Sequence, residues 1–467
     1  MACIRETRNG VNALARVFHA TDGYNPALQR ILSCAPFGND ESQWLAKAPS
    51  FSILAWLPLG PIERSPSMES LPTVILKPGE ADRIVAGHPW IYRGSILRSS
   101  RPPSDGEPVQ VKDHRHRFLG SGLYNSKSKI VVRVLSPERV EVDEAFFRSR
   151  FQEALAVRTR RMGKAASMRL VNAESDFLSG LIVDRYEDVL VVQTSSLGMD
   201  QRKGTIVNAL QAVFLPRTIV ERNESASRKF EGLPEANGIL AGSLEGPVAA
   251  QVGDLRFEVD LLGGHKTGLY LDQQVNYQRV AEMSAGAQVL DCFCFVGGFG
   301  LHAARAGAAH VHMIDQGAEV VAAAGRNAVA NGLADKCSFE AANVFDWLKA
   351  QTASRPHEKA VPRWDLIILD PPSFTRNRSA VPDALRGYKE IHLRALKLLK
   401  QGGTLVTFCC SHHVNAPLFQ DTVLAAAYDA RRILRRVATY SQAPDHPVIP
   451  MIPETEYLKG FAYEVVR

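Results

Sequence analysis

At 467 residues the chain is too long for one ordinary hydrophobic core, so two or three domains are expected. Its 45% hydrophobic and 22% charged content is that of a globular protein in water, and a net charge of +6 permits a polyanionic partner without demanding one. Seven cysteines without a C-x-x-C pair argue against a disulfide scaffold or zinc site and for a reducing cytosol. No apolar run approaches the roughly 20 residues that span a bilayer. The expectation is a cytoplasmic protein with no membrane contact and no metal.

Residues 1–67 keep neither a helical nor a strand period and end in the Pro/Ser-rich run PLGPIERSPSMES. They read as a disordered extension, or as sequence ahead of a start at Met68. From Thr73 short apolar runs alternate with turn signals: TVILKPG, HPWIYRGSI, PVQVKD, RFLGSGLYN and KIVVRVLS. That spacing suggests a small β-barrel-like module. A basic helix is expected over Asp143–Arg161, then a hairpin-like pair in GLIVDRYEDVLVVQTSS, a helix near 200–214, and strands in TIVERN, GSLEGPVAAQVGD and LRFEVDLL. This block, 147–263, reads as a central α+β domain.

From Gly264 to Arg467 strand and helix alternate: VLDCF, helix 299–306, HVHMID, helix 317–331, CSFEAAN, helix 344–350, DLIILD, helix 383–400, TLVTFCC, helix 416–430. Such a repeat means an α/β, Rossmann-like domain, a parallel sheet with helices on both faces. Ligands of open parallel sheets sit outside the carboxyl ends of the strands. Four strand ends here carry small or polar groups, and together they read as a site for a nucleoside-bearing cofactor beside a reactive sulfur. In VLDCFCFVGGFG, Phe293, Gly297 and Gly298 form a tight turn into a helix N-terminus, while Asp291 is placed to orient an ammonium or fix the turn. Gly298 to Ala303 also fits the dinucleotide pattern G-x-G-x-x-A, so a nicotinamide oxidoreductase is a rival. Asp315 ends the next strand, where a carboxylate accepts ribose hydroxyls or caps a helix. Asn343 at the third strand end is a candidate for the adenine edge or, again, a cap.

The fourth strand ends in Asp370-Pro371-Pro372-Ser373-Phe374. Two prolines fix φ and deny a helix, so Asp370 and Phe374 are expected at the cleft, bonding and stacking on a target base. Hydride transfer has no use for such a turn; an S-adenosylmethionine (SAM)-dependent methyltransferase does. The fifth strand ends in Cys409-Cys410. Carbon 5 of cytosine is not nucleophilic until a thiolate adds to carbon 6. One of the pair faces the cleft, and periodicity alone does not say which. Arg376 and Arg378, Lys127–Lys129 and Arg158–Lys164 are candidate phosphate grips.

At these residues the chain resembles the bacterial 23S rRNA large-subunit methyltransferase I family, cytosine-C5 enzymes with an N-terminal PUA domain. The likeness runs from about Thr73 to Arg467 through KPGEADRIVAGHPWIYRGSI, NAESDFLSGLIVDRYEDVLVVQ, GHKTGLYLDQQ, DCFCFVGGFG, DPPSF, RGYKEIHLRAL, TFCCS, DHPVI and EYLKGF. It implies a PUA RNA-binding domain at about 72–146, a class I SAM methyltransferase domain at 264–467, and large-subunit rRNA as partner, with a homodimer possible in principle. It further implies that Cys410 is the nucleophile, assisted by Asp370, and that the Lys266–Gln273 segment, with Lys266, Asp272 and Gln273, covers the cofactor. It places Pro371, Pro372, Phe374 and Arg376 against the substrate. Asn343 departs from the usual Asp, and His412 and His413 follow the nucleophile where smaller residues are common. Methylation of another RNA base, or a non-catalytic RNA-binding assembly role, remain the alternatives.

Overall fold

The structure is a computed structural model that describes residues 71–225, 227–263, 267–353, 361–375 and 377–467. The expected extension at 1–67 and the candidates Lys266 and Arg376 lie outside the described residues.

Short apolar runs build the first sheet from β1 (Thr73–Leu76), β2 (Trp90–Tyr92), β3 (Ile96–Ser99), β4 (Pro108–Lys112), β5 (Phe118–Tyr124) and β6 (Ile130–Ser136). Their order is β2-β6-β5-β4-β1-β3, antiparallel throughout except for β1 beside β4. Val74, Leu76, Ile91, Val109, Val111 and Val131 meet in its core.

Helix α1 (Glu144–Met162) begins where the Asp143 side chain accepts from the Phe146 N–H at 2.9 Å. Its inner face carries Phe147, Phe151 and Ala154, but also Arg158, which is fully buried. That residue was expected to reach for phosphates. It turns inward because Asp176 takes its guanidinium fork at 2.5 and 2.7 Å. Beneath α1 and α2 (Lys203–Phe214) lies a second sheet of β7 (Ser167–Asn172), β8 (Leu181–Tyr186), β9 (Val189–Thr194), β10 (Thr218–Asn223) and β11 (Ala236–Ala241), in the order β11-β10-β9-β8-β7. The expected hairpin is β8–β9, turning through Glu187 at φ +55°.

A two-stranded hairpin, β12 (Val248–Val252) and β13 (Leu255–Val259), alternates buried and exposed residues. Its inner side shares one core with Tyr186 and Val220 of the second sheet and with Val289 and Val311 of the third. The third sheet contains β14 (Gln288–Cys292), β15 (His310–Asp315), β16 (Cys337–Ala341), β17 (Trp364–Leu369), β18 (Leu399–Cys409), β19 (Leu434–Tyr440) and β20 (Lys459–Val465). The order is β16-β15-β14-β17-β18-β20-β19. The first five are parallel; β20 runs antiparallel to both neighbours. Helices α3 (Gln274–Ala281), α4 (Gly298–Arg305) and α5 (Ala318–Ala330) pack on one face, and α6 (Val344–Thr352), α7 (Val381–Leu398) and α8 (Ala416–Ala430) on the other. Strand order reverses between β14 and β17, which opens a crevice at their carboxyl ends. Among the described residues no helix is long and apolar enough to cross a membrane.

Candidate functional site

The crevice is built from three strand ends whose alternation brings the chemistry to one face. Val289 of β14, Leu366 and Ile368 of β17, and Val406 and Phe408 of β18 all enter the core beneath α3–α5. Continuing by twos, Asp291, Asp370 and Cys410 fall on that same face of adjacent strands. Cys409 points the other way. It is fully buried in the core under α7 and α8, whereas Cys410 is half-buried. The choice that periodicity left open therefore falls on Cys410.

After β14 the chain makes a turn with three left-handed residues, Phe293 (φ +65°), Phe295 (φ +49°) and Gly297 (φ +92°). Such conformations are costly for phenylalanine, and they persist because the surroundings hold the turn. The Phe295 N–H donates to Asp315 Oδ2 at 3.0 Å, and the Cys294 N–H donates to the Ile314 carbonyl at 3.0 Å. Glycine is required next for close packing. A Cβ on Gly298 would lie 2.6 Å from the Tyr277 ring, and one on Gly300 would lie 2.7 Å from Met313 Sδ. These two glycines admit protein neighbours.

Asp291 is the most unusual group in the crevice. Its Oδ2 accepts from the Gly300 N–H at 2.8 Å, while Oδ1 is buried and has no partner among the described residues. Burial drives its pKa up to about 8; the Gly300 N–H opposes this, and the charges of Asp370 and Asp315 add to it. A buried carboxylate oxygen aimed into a crevice is a seat for a cation. Asp315 Oδ1 also accepts from the Gly317 N–H at 3.1 Å, so this carboxylate ties the turn to the start of α5 and presents its remaining lone pairs outward. Asn343 caps α6, its Oδ1 accepting from Phe345 and Asp346 N–H groups at 3.0 and 3.3 Å. Among the described residues its amide NH2 has no hydrogen-bond partner.

The segment before α3 closes over this floor. Gln273 Nε2 donates to Asp370 Oδ2 at 3.2 Å, and Asn276 Nδ2 donates to Gln273 Oε1 at 2.7 Å. Asp272 Oδ2 accepts from the Tyr457 hydroxyl at 2.7 Å. Pro371 is buried and Pro372 exposed. Phe374 was expected to stand at the cleft. Its half-buried ring packs against Tyr388 and Phe345, with centres 4.6 and 5.5 Å apart, because α7 and α6 offer it aromatic neighbours.

Several residues of this site lie in the blocks that carry the resemblance but were given no role from the sequence. Lys459 on β20 donates from Nζ to the Ser411 carbonyl at 2.5 Å, fixing the turn after Cys410. Burial lowers its pKa, and the nearby Cys409 and Cys410 sulfurs work against that. The ring of Tyr457 meets His412 with centres 5.7 Å apart. Burial, together with the adjacent sulfurs of Cys409 and Cys410, pushes the Tyr388 hydroxyl far up, so it stays protonated. His446 is buried against Asp445 Oδ1 at 2.9 Å. Asp445 in turn accepts from the Arg169 N–H and Gln274 Nε2, each at 2.9 Å, and its carbonyl accepts from Arg158. Burial works to raise the pKa of Asp445, but His446 and Arg169 hold it below the usual carboxylate value. Among the described residues no cluster of His, Cys, Asp or Glu could hold a metal ion.

SAM carries an ammonium and a sulfonium, a ribose diol and an adenine. The orphaned Asp291 oxygen, the outward lone pairs of Asp315 and the free Asn343 amide fit those groups in the order of the strands. Comparison with known proteins agrees. Residues 74–137 match the family described as PUA-like domain, and residues 239–413 match S-adenosylmethionine-dependent methyltransferase. Ribosomal RNA large subunit methyltransferase I of Shewanella amazonensis is 40% identical over 395 residues, covering 84% of this chain and 98% of that one. The protein of the same name from Photobacterium profundum is 37% identical over 397 residues, again 84% and 98%. In fold, the chain matches SMU.776, solved in complex with SAH, with a TM-score of 0.72 at 21% identity, over 84% of this chain and all of that one. S-adenosylmethionine is thus the cofactor, and the chain belongs to the ribosomal RNA large subunit methyltransferase I family.

Proposed function

We propose that the protein methylates large-subunit ribosomal RNA, at carbon 5 of a cytosine, through a covalent adduct on Cys410. The observation that carries the reading is the sharing of one sheet face by Asp291, Asp370 and the half-buried Cys410 at the strand-order switch. Relatives named for large-subunit ribosomal RNA support the substrate, and the PUA-like match at 74–137 supports RNA contact.

SAM supplies an electrophilic methyl group when bound. Cys410 Sγ, as thiolate, adds to carbon 6 of the cytosine and moves electron density to carbon 5. Once carbon 5 is substituted, loss of its proton re-forms the ring double bond and expels the sulfur. Lys459 holds the Ser411 carbonyl and brings a positive charge near the sulfur, which favours the thiolate. Asp370, steadied by Gln273, is the group to orient the base through its exocyclic amine. Asp291 and Asp315 orient the donor's amino-acid and ribose ends. A base within a duplex is out of reach, so the target must be unpaired or flipped.

The test uses large-subunit RNA containing 5-fluorocytidine. Fluorine at carbon 5 does not leave as a cation, so the adduct persists as a slow-migrating protein–RNA band. That band is expected with the parent protein and absent with Cys410→Ala. Methylation of ordinary RNA that survives Cys410→Ala would assign the enzyme to another base or atom, and a parent protein that binds RNA without methylating it would make it an assembly factor.

A further inference from the structure

Three arginine–aromatic pairs lie on or beside the first sheet and beside the turn after β7. The guanidinium carbon of Arg83 is 5.5 Å from the Tyr92 ring centre, that of Arg133 is 5.9 Å from Trp90, and that of Arg150 is 5.8 Å from Phe177. Trp90 Nε1 donates to Glu174 Oε1 at 3.0 Å, which joins β2 to the turn that carries Phe177.

Phe177 is the anomaly. It sits at φ +58° and ψ +23°, a left-handed position that suits glycine or asparagine. Its side chain is 44% exposed, so burial does not explain a phenylalanine there either. Everything around it is fastened. Ser175, Asp176, Leu178 and Ser179 are buried; Asp176 grips Arg158 and accepts from the Asn172 N–H at 2.6 Å; the Leu178 N–H donates to the Ala173 carbonyl at 3.0 Å. A rigid pedestal thus holds one apolar ring out into water.

We propose that Phe177, backed by Arg150, is a stacking platform for an unpaired nucleobase of the RNA, an inference that rests on the RNA reading above. Glu153 holds Arg150 at 2.8 Å beside the ring. Exposed Arg148, Arg160, Arg161 and Lys164 line the outside of α1 and the turn after it, a charge suited to a phosphate backbone. Every base has a π-face that an aromatic ring and a guanidinium can cover, whereas a duplex hides those faces. Tyr92, which is 36% exposed, stacks on Arg83, whose Nη2 lies 3.4 Å from Glu454.

The test measures fluorescence anisotropy of a labelled oligocytidine of about 12 nucleotides and of an RNA duplex of equal length, with the full chain and its Phe177→Asn and Phe177→Trp variants. Phe177→Asn should weaken single-strand binding about 5- to 150-fold and leave the duplex unchanged. Its melting temperature should equal or exceed that of the parent, because asparagine suits the left-handed backbone. Phe177→Trp should keep the affinity, and its indole emission should be quenched by the oligonucleotide. The platform is refuted if Phe177→Asn binds the single strand like the parent, or if it loses both RNAs together with stability. A parent that binds no RNA refutes the underlying reading instead.

Discussion

The proposed contact of Asp291 with the cofactor's amino-acid end should make cofactor binding depend on pH. In the ligand-free protein its carboxyl keeps a proton up to about pH 8, chiefly because it is buried, while the ammonium of S-adenosylhomocysteine needs the carboxylate. The ionised fraction is about 1% at pH 6, about 10% at pH 7 and about half at pH 8. Affinity should therefore rise about tenfold from pH 6 to 7 and about fivefold from pH 7 to 8, with close to one proton released per ligand at pH 7. For folding the sign is opposite to that of a salt-bridged acid. The native state holds a proton that the unfolded chain has lost, so between about pH 4 and 8 the free protein loses stability as pH rises, by up to about 5–6 kcal/mol from this group. Calorimetry in two buffers of different ionisation heat counts the protons directly, and Asp291→Asn should flatten both profiles. An affinity constant from pH 6 to 8 with no proton release would refute the reasoning.

The adjacent cysteines should separate cleanly. Cys410→Ala should abolish methyl transfer in a tritium-incorporation assay while S-adenosylhomocysteine affinity stays unchanged; Cys409→Ala should keep the activity and cost about 1–2 kcal/mol in urea unfolding, since it empties a packed site. Asp176→Ala strands the buried Arg158 guanidinium and should cost about 3–5 kcal/mol, most of it recovered in Arg158→Met with Asp176→Leu. Gly298→Ala forces a methyl against the Tyr277 ring, and a melting curve should show a loss of about 1–3 kcal/mol.

The strand–helix alternation after Gly264 was legible because short apolar segments such as LIIL and LVTF end in polar turns and are followed by helical periods. The two strands that close the third sheet were not. LRRVATY in β19 puts Arg435, Arg436 and Val437 outward and buries only Tyr440, so it lacks the alternation of a half-buried strand. Arg158 read as part of a basic surface because its neighbours are basic; only Asp176, brought close by folding, turns it inward. Within the candidate site, Asp291, Asp315 and Asp370 were singled out because strand ends can be recognised. Lys459 and Tyr457 were not singled out because they arrive from the far end of the chain, Lys459 on an antiparallel strand and Tyr457 on the loop before it. Gly298 was read for its place in a tight turn, and its close packing on Tyr277 was not legible. The distinction lies in neighbours that no local window contains.

The segment from Ser441 to Leu458 has a mechanical consequence. Asp445 fastens it to Arg158 and Arg169 beside the second sheet and to Gln274 on α3; Glu454 fastens it to His88 and Arg83 of the first sheet. One clasp thus locks three sheets, and the described residues belong to a single compact unit. Heat should melt them in one cooperative transition, with calorimetric and van't Hoff enthalpies in agreement. Cutting the clasp should split that endotherm into separate, lower-melting steps.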